Sequence, residues 1–455
     1  MERGRLYAVW RRVLGLSWPV MVEQTVRTAM RTTDIIVTGL FSPAAIAAIG
    51  LADLYSRFPL RIGLGLGGGA IALSSQDTGA DATANRDEAV TQAILLGLVT
   101  GIPFVLFGLS FGYEALAILG ANDTVASLGG TYLAIVFATA PARQVSLIAA
   151  RSLQGTGDTR TPMYVNVVSN GLNIVGSVTL GLGLFGVPRY EIVGVGVATA
   201  FSNVFTAVVL CAVMVAGRTS AGFARPTNPV IARQLLVVSA PRVLEGFVET
   251  FAEFPFNALL LGFGTEVNAA FQVGRRLYQQ VTGPLSRGYS VAASVVVGQA
   301  LGDGDPEGAR ENGYATALLG LVTVGTIGLV LVVAAPLFVR IFTRDPVTVG
   351  YAVDFARAYG LAAPALVTFV VFSGGLQGGS ETRTPFLARV LGLGVFFLGF
   401  SYVVGVVLDY GVIGAYGGIV GYYGLAAVVV ALGFWYGDWA DRAARMMAER
   451  GSAAD

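Results

Sequence analysis

Leu153-Gln154-Gly155, followed by Thr159-Arg160-Thr161-Pro162, returns 223 positions later as Leu376-Gln377-Gly378, followed by Thr382-Arg383-Thr384-Pro385. The same offset relates Gln76 to Gln299, Pro141 to Pro364 and Gly39 to Gly262. Near the start of each half the offset is 222, so Pro19, Glu23, Arg27 and Arg31 correspond to Pro241, Glu245, Glu249 and Glu253. The chain is a tandem repeat, and two arginines of one copy stand where the other copy has glutamates. Parallel repeats of membrane helices put a transport pathway at their interface.

The 455 residues are 54% hydrophobic and 13% charged, with mean hydropathy +0.69. A helix needs about 20 apolar residues to cross a hydrocarbon core of about 30 Å. Such stretches recur near 14–40, 45–74, 88–112, 124–150, 161–185, 190–216, 232–263, 267–299, 310–342, 347–373, 384–408 and 412–437. This predicts an all-α polytopic membrane protein with twelve spans. The repeat divides them into two six-helix bundles, 1–216 and 232–455, related by a pseudo-two-fold axis along the membrane normal. Residues 217–231 form a linker, and a short helix at most follows residue 438. The alternating ten-residue segments of a β-barrel are absent. Gly67-Gly68-Gly69 falls inside the second span rather than after a strand, which argues against a phosphate-binding loop.

Composition also excludes chemistries. No histidine is present, so the commonest metal ligand and near-neutral proton shuttle are missing, and any proton coupling must run on carboxylates. Cys211 is the single cysteine, which rules out disulfides within the chain and cysteine-based metal sites. No catalytic motif or soluble domain stands out, so the expectation is no enzyme, no catalytic residue, no bound metal and no cofactor. A net charge of +1 without a basic tract gives no sign of a nucleic-acid partner.

All basic residues are arginines, and their placement sets orientation. Arg3, Arg5, Arg11, Arg12, Arg86, Arg151, Arg160, Arg218, Arg225, Arg233, Arg310, Arg383, Arg442, Arg445 and Arg450 fall on one side, against Arg189, Arg340 and Arg344 on the other. Both termini and the linker are therefore expected in the cytoplasm, in the inner membrane of a prokaryotic cell. The first span carries internal charges and is too long for a cleavable signal peptide.

Those internal charges are the functional signal. Glu23, Arg27, Arg31 and Asp34 fall within an arc of roughly 80° on one helix, and Arg242, Glu245, Glu249 and Glu253 form a matching stripe on the seventh span. Each charge in a membrane helix costs at least about 2.5–3.5 kcal/mol, so the stripes should face the bundle interior or a wet cavity. Parallel repeats would set Arg27 near Glu249 and Arg31 near Glu253. Two readings stand side by side: salt bridges that join the bundles, or carboxylates that bind a proton, a metal ion or a cationic substrate in competition with the arginines. The eight residues hold three positive and five negative charges, a lining that mildly favours cations. Arg57 and Arg61 on the second span belong to the same interior, with Asp53 able to pair with Arg57 at i, i+4. Pro255 should kink or break the seventh span near its stripe. Arg275, Arg276 and Arg287 in the eighth span have no evident partner in the sequence.

Several motifs in order resemble the MATE multidrug exporters, part of a larger superfamily that contains flippases. They are Ser17-Trp18-Pro19, Thr33-Asp34-Ile35 with Gly39, Leu153 to Pro162, Gly194-Val195-Gly196-Val197-Ala198-Thr199, and Val297-Gly298-Gln299-Ala300-Leu301-Gly302. The resemblance covers nearly the whole chain. It implies that Asp34 takes part in proton or sodium coupling, that Glu249 is the seventh-span glutamate of one subgroup, and that Asn173 and Thr199 are polar partners of Asp34. That subgroup's tenth-span aspartate is missing, since Leu366 stands there. A second subgroup's fifth-span aspartate is replaced by Ser177. Neither ion site is complete, and the coupling ion stays H⁺ or Na⁺.

The resemblance thus implies a secondary antiporter, acting as a monomer in the lipid bilayer, that exports organic cations or drug-like compounds by rocking of the two bundles. Its cavity residues would be Glu23, Arg27, Arg31, Glu245, Glu253 and Asn257, with Asp34, Glu249, Asn173 and Thr199 in ion coupling. The alternative is a flippase or exporter for anionic or lipid-linked cargo that uses the interior arginines.

Overall fold

The computed structural model describes residues 3–452, in which helices joined by short loops and the 217–228 linker account for the fold, with no strand among the described residues. In the first repeat, α1 (Arg3–Gly39), α2 (Pro43–Gly79) and α3 (Thr83–Ile118) are unbroken, and the fourth stretch divides into α4 (Asp123–Ala138) and α5 (Ala140–Gly155). α6 (Arg160–Leu182) and α7 (Glu191–Val215) complete it. In the second repeat, α8 (Pro229–Phe263) is followed by α9 (Thr265–Val281) and α10 (Gly283–Gly302), which share the eighth stretch. Then come α11 (Pro306–Val339), α12 (Pro346–Gly378) and α13 (Arg383–Leu391). α13 runs on through π-helical turns at Gly392–Phe400 and Val403–Val407, before α14 (Ile413–Tyr436) and the tail helix α15 (Trp439–Ser452). Every one of the twelve apolar stretches is helical.

The two repeats break at different places. α4 and α5 meet at 50°, just before Pro141 removes a backbone donor. The matching Pro364 lies inside α12, which continues through it. Conversely α2 passes through Pro59, whereas the corresponding stretch stops at Thr282, two residues before Pro284. The expected break at Pro255 does not occur: α8 runs uninterrupted through both Pro241 and Pro255. In a long helix the neighbouring turns and packed helices can absorb one missing N–H. Caps fix the starts of other helices. Asn122 accepts from the Val125 amide at 3.0 Å, and Asp305 accepts from the Gly308 amide at 2.8 Å ahead of Pro306.

Seven helices, α3, α6, α7, α11, α12, α14 and the helix that begins as α13, are long and apolar enough to cross a membrane alone, and the bent α4–α5 pair makes an eighth. The other stretches, α1, α2, α8 and the α9–α10 pair, carry the charges singled out in the sequence. α3 exposes Leu95, Val99, Ile102, Leu106 and Leu109 along one face, and α11 exposes Val322, Leu329, Val333 and Leu337. Such continuous apolar stripes suit hydrocarbon rather than water.

The helices condense into two compact units. The C-terminal unit comprises Met1–Met21, Ser75–Asp81 and Ala240–Glu449. Its core holds Phe256, Phe271, Phe355 and Phe369, with Phe256 stacked on Phe397 at 3.8 Å between centroids. The start of α1 is bound into this unit by Trp10 Nε1 donating to the Ala315 carbonyl at 2.8 Å, and by Arg5 beside Glu311 at 2.9 Å.

The N-terminal unit comprises Val22–Ser74, Ala82–Ser239 and Arg450–Asp455. Ala48, Ala52, Leu133, Phe137 and Val195 lie in its core. Here the linker is pinned along α3. The Gly222 amide donates to Asp87 Oδ1 at 3.0 Å, the Ala224 amide to Thr91 Oγ1 at 3.1 Å, and the Thr227 and Asn228 amides to Glu88. Arg450, fully buried, donates to Gln234 Oε1 at 2.7 Å.

Candidate functional site

Each unit contains a charged cluster, and the sequence stripes of α1 and α8 supply more than half of its charged residues. In the N-terminal unit, Arg27 Nη2 donates to Glu23 Oε1 at 3.0 Å, one turn back on α1. Glu23 is buried, whereas Arg31 is exposed. Asp34 lies within hydrogen-bonding reach of the Ser177 hydroxyl, and its Oδ1 is buried without a partner. From there a polar chain crosses α6 and α7. Ser177 Oγ donates to Asn173 Oδ1 at 3.4 Å, Asn173 Nδ2 to Thr199 Oγ1 at 3.3 Å, and Thr199 Oγ1 to the Val195 carbonyl at 3.0 Å. Asp34, Asn173 and Thr199, expected together, are thus joined through Ser177, and the buried Tyr132 faces Asp34 and Asp53 from α4.

Asp53 on α2 has Arg31, Arg57 and Arg143 within electrostatic reach. Arg143 itself faces Arg27 and Arg31. It sits in the first turn of α5, just past the 50° bend. Gly101 of α3 lets that turn come close, since a Cβ there would lie 2.6 Å from Pro141 Cα. The cluster therefore sets four guanidiniums, Arg27, Arg31, Arg57 and Arg143, against three carboxylates, Glu23, Asp34 and Asp53.

In the C-terminal unit, α8 turns Glu245, Glu249 and Glu253 to one face at i, i+4 and i+8. Glu245 is buried and holds two arginines: Arg242 Nη1 donates to its Oε2 and Arg389 Nε to its Oε1, both at 2.7 Å. Arg389 Nη1 lies 3.3 Å from Glu249 Oε1 and donates to the Tyr422 hydroxyl at 2.8 Å. The guanidinium carbon sits 4.9 Å from the Phe369 ring centroid. Arg275 on α9 pairs with Glu253 at 2.8 Å, which gives that arginine the partner the sequence did not reveal. Asn257, one turn further, accepts from Asn268 at 3.1 Å and Gln272 at 2.9 Å and donates to the Glu253 carbonyl. Glu249 and Glu253 line a cavity of about 50 Å³ together with Arg275, Tyr278, Tyr359, Tyr422 and Tyr423. Three carboxylates face three guanidiniums, so this cluster is balanced.

Close helix contact makes the second arrangement possible. A Cβ at Gly392 would lie 2.6 Å from Tyr422 Cδ2 and 3.0 Å from the Tyr422 carbonyl. Without a side chain there, α13 approaches α14 closely enough for Arg389 to reach the tyrosine. Sequence reasoning passed over Arg143, Arg389 and the four tyrosines. The two arginines carried a usable signal, because each is a charge inside an apolar span. The tyrosines carried none, being unremarkable in apolar helices.

The MatE family profile matches residues 19–179 and 241–410, one match per repeat. The chain is 32% identical over 445 residues to a probable multidrug resistance protein NorM of Rhodopseudomonas palustris, covering 93% of this chain and 92% of that one. A probable NorM of Thermotoga maritima is 25% identical over 441 residues, covering 95% and 94%. Among solved structures, a crystal structure of MATE in the bent conformation superposes with TM-score 0.86 at 22% identity, over 98% of this chain and 97% of that one. With a profile match in both repeats and a relative above 30% identity along almost its full length, this multi-pass membrane chain belongs to the MATE family of transporters.

Proposed function

We propose that the protein is a secondary antiporter that exports drug-like organic cations from a prokaryotic cell in exchange for inward H⁺ or Na⁺. The multidrug resistance names of its NorM relatives support a drug-like cargo. The observation that carries the coupling is Asp34: one carboxylate oxygen is buried without a partner while Ser177, Asn173 and Thr199 form a polar chain behind it. A buried carboxylate that lacks a full set of donors gains by taking up a cation. In this reading ion loading at Asp34 and Glu249 neutralises the carboxylates and loosens their hold on a cationic substrate, which leaves to the outside. Ion release to the cytoplasm then restores the charge and admits new cargo, with Arg27 and Arg31 setting when loading occurs. The chain works as a monomer in the cytoplasmic membrane, with both termini inside.

The test is ethidium transport in everted vesicles, with a Na⁺ gradient and a pH gradient imposed separately. Wild type should transport under one gradient, and Asp34→Asn and Glu249→Gln should each abolish it. Normal transport by both variants would reject the reading.

A second reading keeps the fold and changes the cargo to an anionic or lipid-linked compound held by Arg27, Arg31, Arg57 and Arg61. The excess of guanidiniums in the N-terminal unit, to which Arg143 contributes, favours it. No ethidium transport under either gradient, with uptake of an anionic dye, would select it.

A further inference from the structure

We propose that Arg389 is a tethered counter-cation that excludes Na⁺ from the α8 carboxylates of the C-terminal unit and leaves them answerable to protons alone. This rests on the reading of Glu249 as a coupling residue and narrows it to one ion.

The geometry separates the two glutamates that Arg389 touches. Glu245 has both oxygens engaged by guanidinium nitrogens at 2.7 Å, from Arg242 and Arg389, and it is only 4% exposed. It acts as the fixed anchor. Glu249 meets the same arginine at the longer distance of 3.3 Å, has 37% of its side chain exposed, and borders the cavity. It is the group placed to change state. Arg389 need not move when it does. Its Nε bond to Glu245, its bond to Tyr422 at 2.8 Å and its seat over Phe369 all persist without Glu249.

A metal cation and a proton make different demands on such a site. Na⁺ is a hard cation that needs several oxygen ligands around it, as other hard cations do. Here both oxygens of Glu245 and one oxygen each of Glu249 and Glu253 are met by a guanidinium, which keeps its charge at any pH a protein experiences. Na⁺ at Glu249 would sit against that permanent positive charge, with one of the two carboxylate oxygens already approached by Arg389. A proton needs one lone pair and brings no coordination shell. The cavity, at about 50 Å³, has room for water beside Glu249 to deliver it. The other groups facing Glu249 do not alter this balance. They are Glu253 from α8 itself, paired with Arg275 of α9 at 2.8 Å, together with Tyr278 from α9, Tyr359 from α12, and Tyr422 and Tyr423 from α14. The charges of Glu253 and Arg275 offset each other, so Arg389 remains the cation that faces Glu249 directly.

The experiment uses the full chain in nanodiscs for ²²Na⁺ binding and in proteoliposomes for dye transport. Wild type should show no saturable Na⁺ binding that Glu249→Gln removes. Arg389→Gln should gain such binding, at least about tenfold above wild type, and should acquire transport driven by a Na⁺ gradient. Arg389→Lys, which keeps the charge, should exclude Na⁺ as wild type does; a merely structural ion pair predicts no such rescue of ion selectivity. If Arg389→Gln does not fold, Tyr422→Phe removes one anchor of the arginine and must raise Na⁺ binding above wild type. The proposal is overturned by Na⁺ binding in wild type that Glu249→Gln removes. It is equally overturned by a folded Arg389→Gln, or failing that Tyr422→Phe, that binds no more Na⁺ than wild type. Because Na⁺ binding is read without any transport, a failure of the antiporter reading shows separately, as normal dye export by Glu249→Gln.

Discussion

The polar clusters of α1 and α8 descend from the same segment of a duplicated sequence, yet they solve the problem of buried charge in opposite ways. On α8 every glutamate of the stripe has an arginine at 2.7 to 3.3 Å, drawn from α8 itself, α9 and α13. On α1, Arg27 meets Glu23 at 3.0 Å, and the cluster of Arg27, Arg31, Arg57 and Arg143 with Glu23, Asp34 and Asp53 holds one guanidinium more than it holds carboxylates. Asp34 keeps a buried oxygen without a partner. A balanced cluster is a structural fixture with one adjustable member. An unbalanced one stores electrostatic work that a bound ion or ligand can release. Arginine in one repeat where the other has glutamate thus gives two clusters of different charge balance.

The largest expected effect lies on the balanced side. Glu245→Gln leaves Arg242 and Arg389 facing a neutral amide, and removing one partner of a buried pair costs about 3–5 kcal/mol. The variant should melt far below wild type in detergent. Glu23→Gln, which removes the partner of a half-buried Arg27, should cost clearly less. Equal losses would mean that the two clusters are not differently balanced.

Next comes the unbalanced side. Asp34→Asn should reduce transport by about 100-fold or more, equivalent to about 2.7 kcal/mol, and leave the melting temperature unchanged or raised. Replacing an under-solvated carboxylate with an amide relieves a desolvation cost instead of breaking a pair. Loss of transport together with a large loss of stability would make Asp34 a structural residue.

Gly392→Ala tests how the balanced cluster is assembled. A methyl group would meet Tyr422 at 2.6 Å, and overpacking of that kind costs about 1–3 kcal/mol. It should push Tyr422 away from Arg389, so the penalty should shrink when Gly392→Ala is combined with Tyr422→Phe, as a double-mutant cycle would measure. Additive losses would mean that the close approach does not serve that contact.

What could be read beforehand follows the same division. Repeat offset and hydropathy located twelve stretches that are all helical, because crossing hydrocarbon demands long apolar runs that show in any sequence. The α1 and α8 stripes were legible because charges in membrane helices are expensive. Their partners were not: Arg275 and Arg389 reach α8 from helices α9 and α13, and only packing sets which face of α13 turns toward α8. The breaks were legible only as prolines. Pro141 follows a bend while Pro364 and Pro255 lie in continuous helix, since neighbouring helices decide whether one lost hydrogen bond becomes a hinge.

The smallest effect bears on the cargo. Arg143→Gln removes the guanidinium that tips the N-terminal cluster positive, and Asp53, Arg31 and Arg57 remain in place. If the surplus charge opposes cationic cargo, KM for ethidium should fall several-fold, about 1 kcal/mol by the usual conversion, with maximal rate little changed. Inhibition by an anionic analogue of matched size should weaken by a similar factor. Both shifts should shrink in high salt if the site is open to solvent, because screening acts on exposed charge. A different pattern, with lower stability and no change in either affinity, would make Arg143 a brace for Asp53. The surplus guanidinium would then no longer favour anionic cargo, and the difference between the clusters would concern stability instead of selectivity.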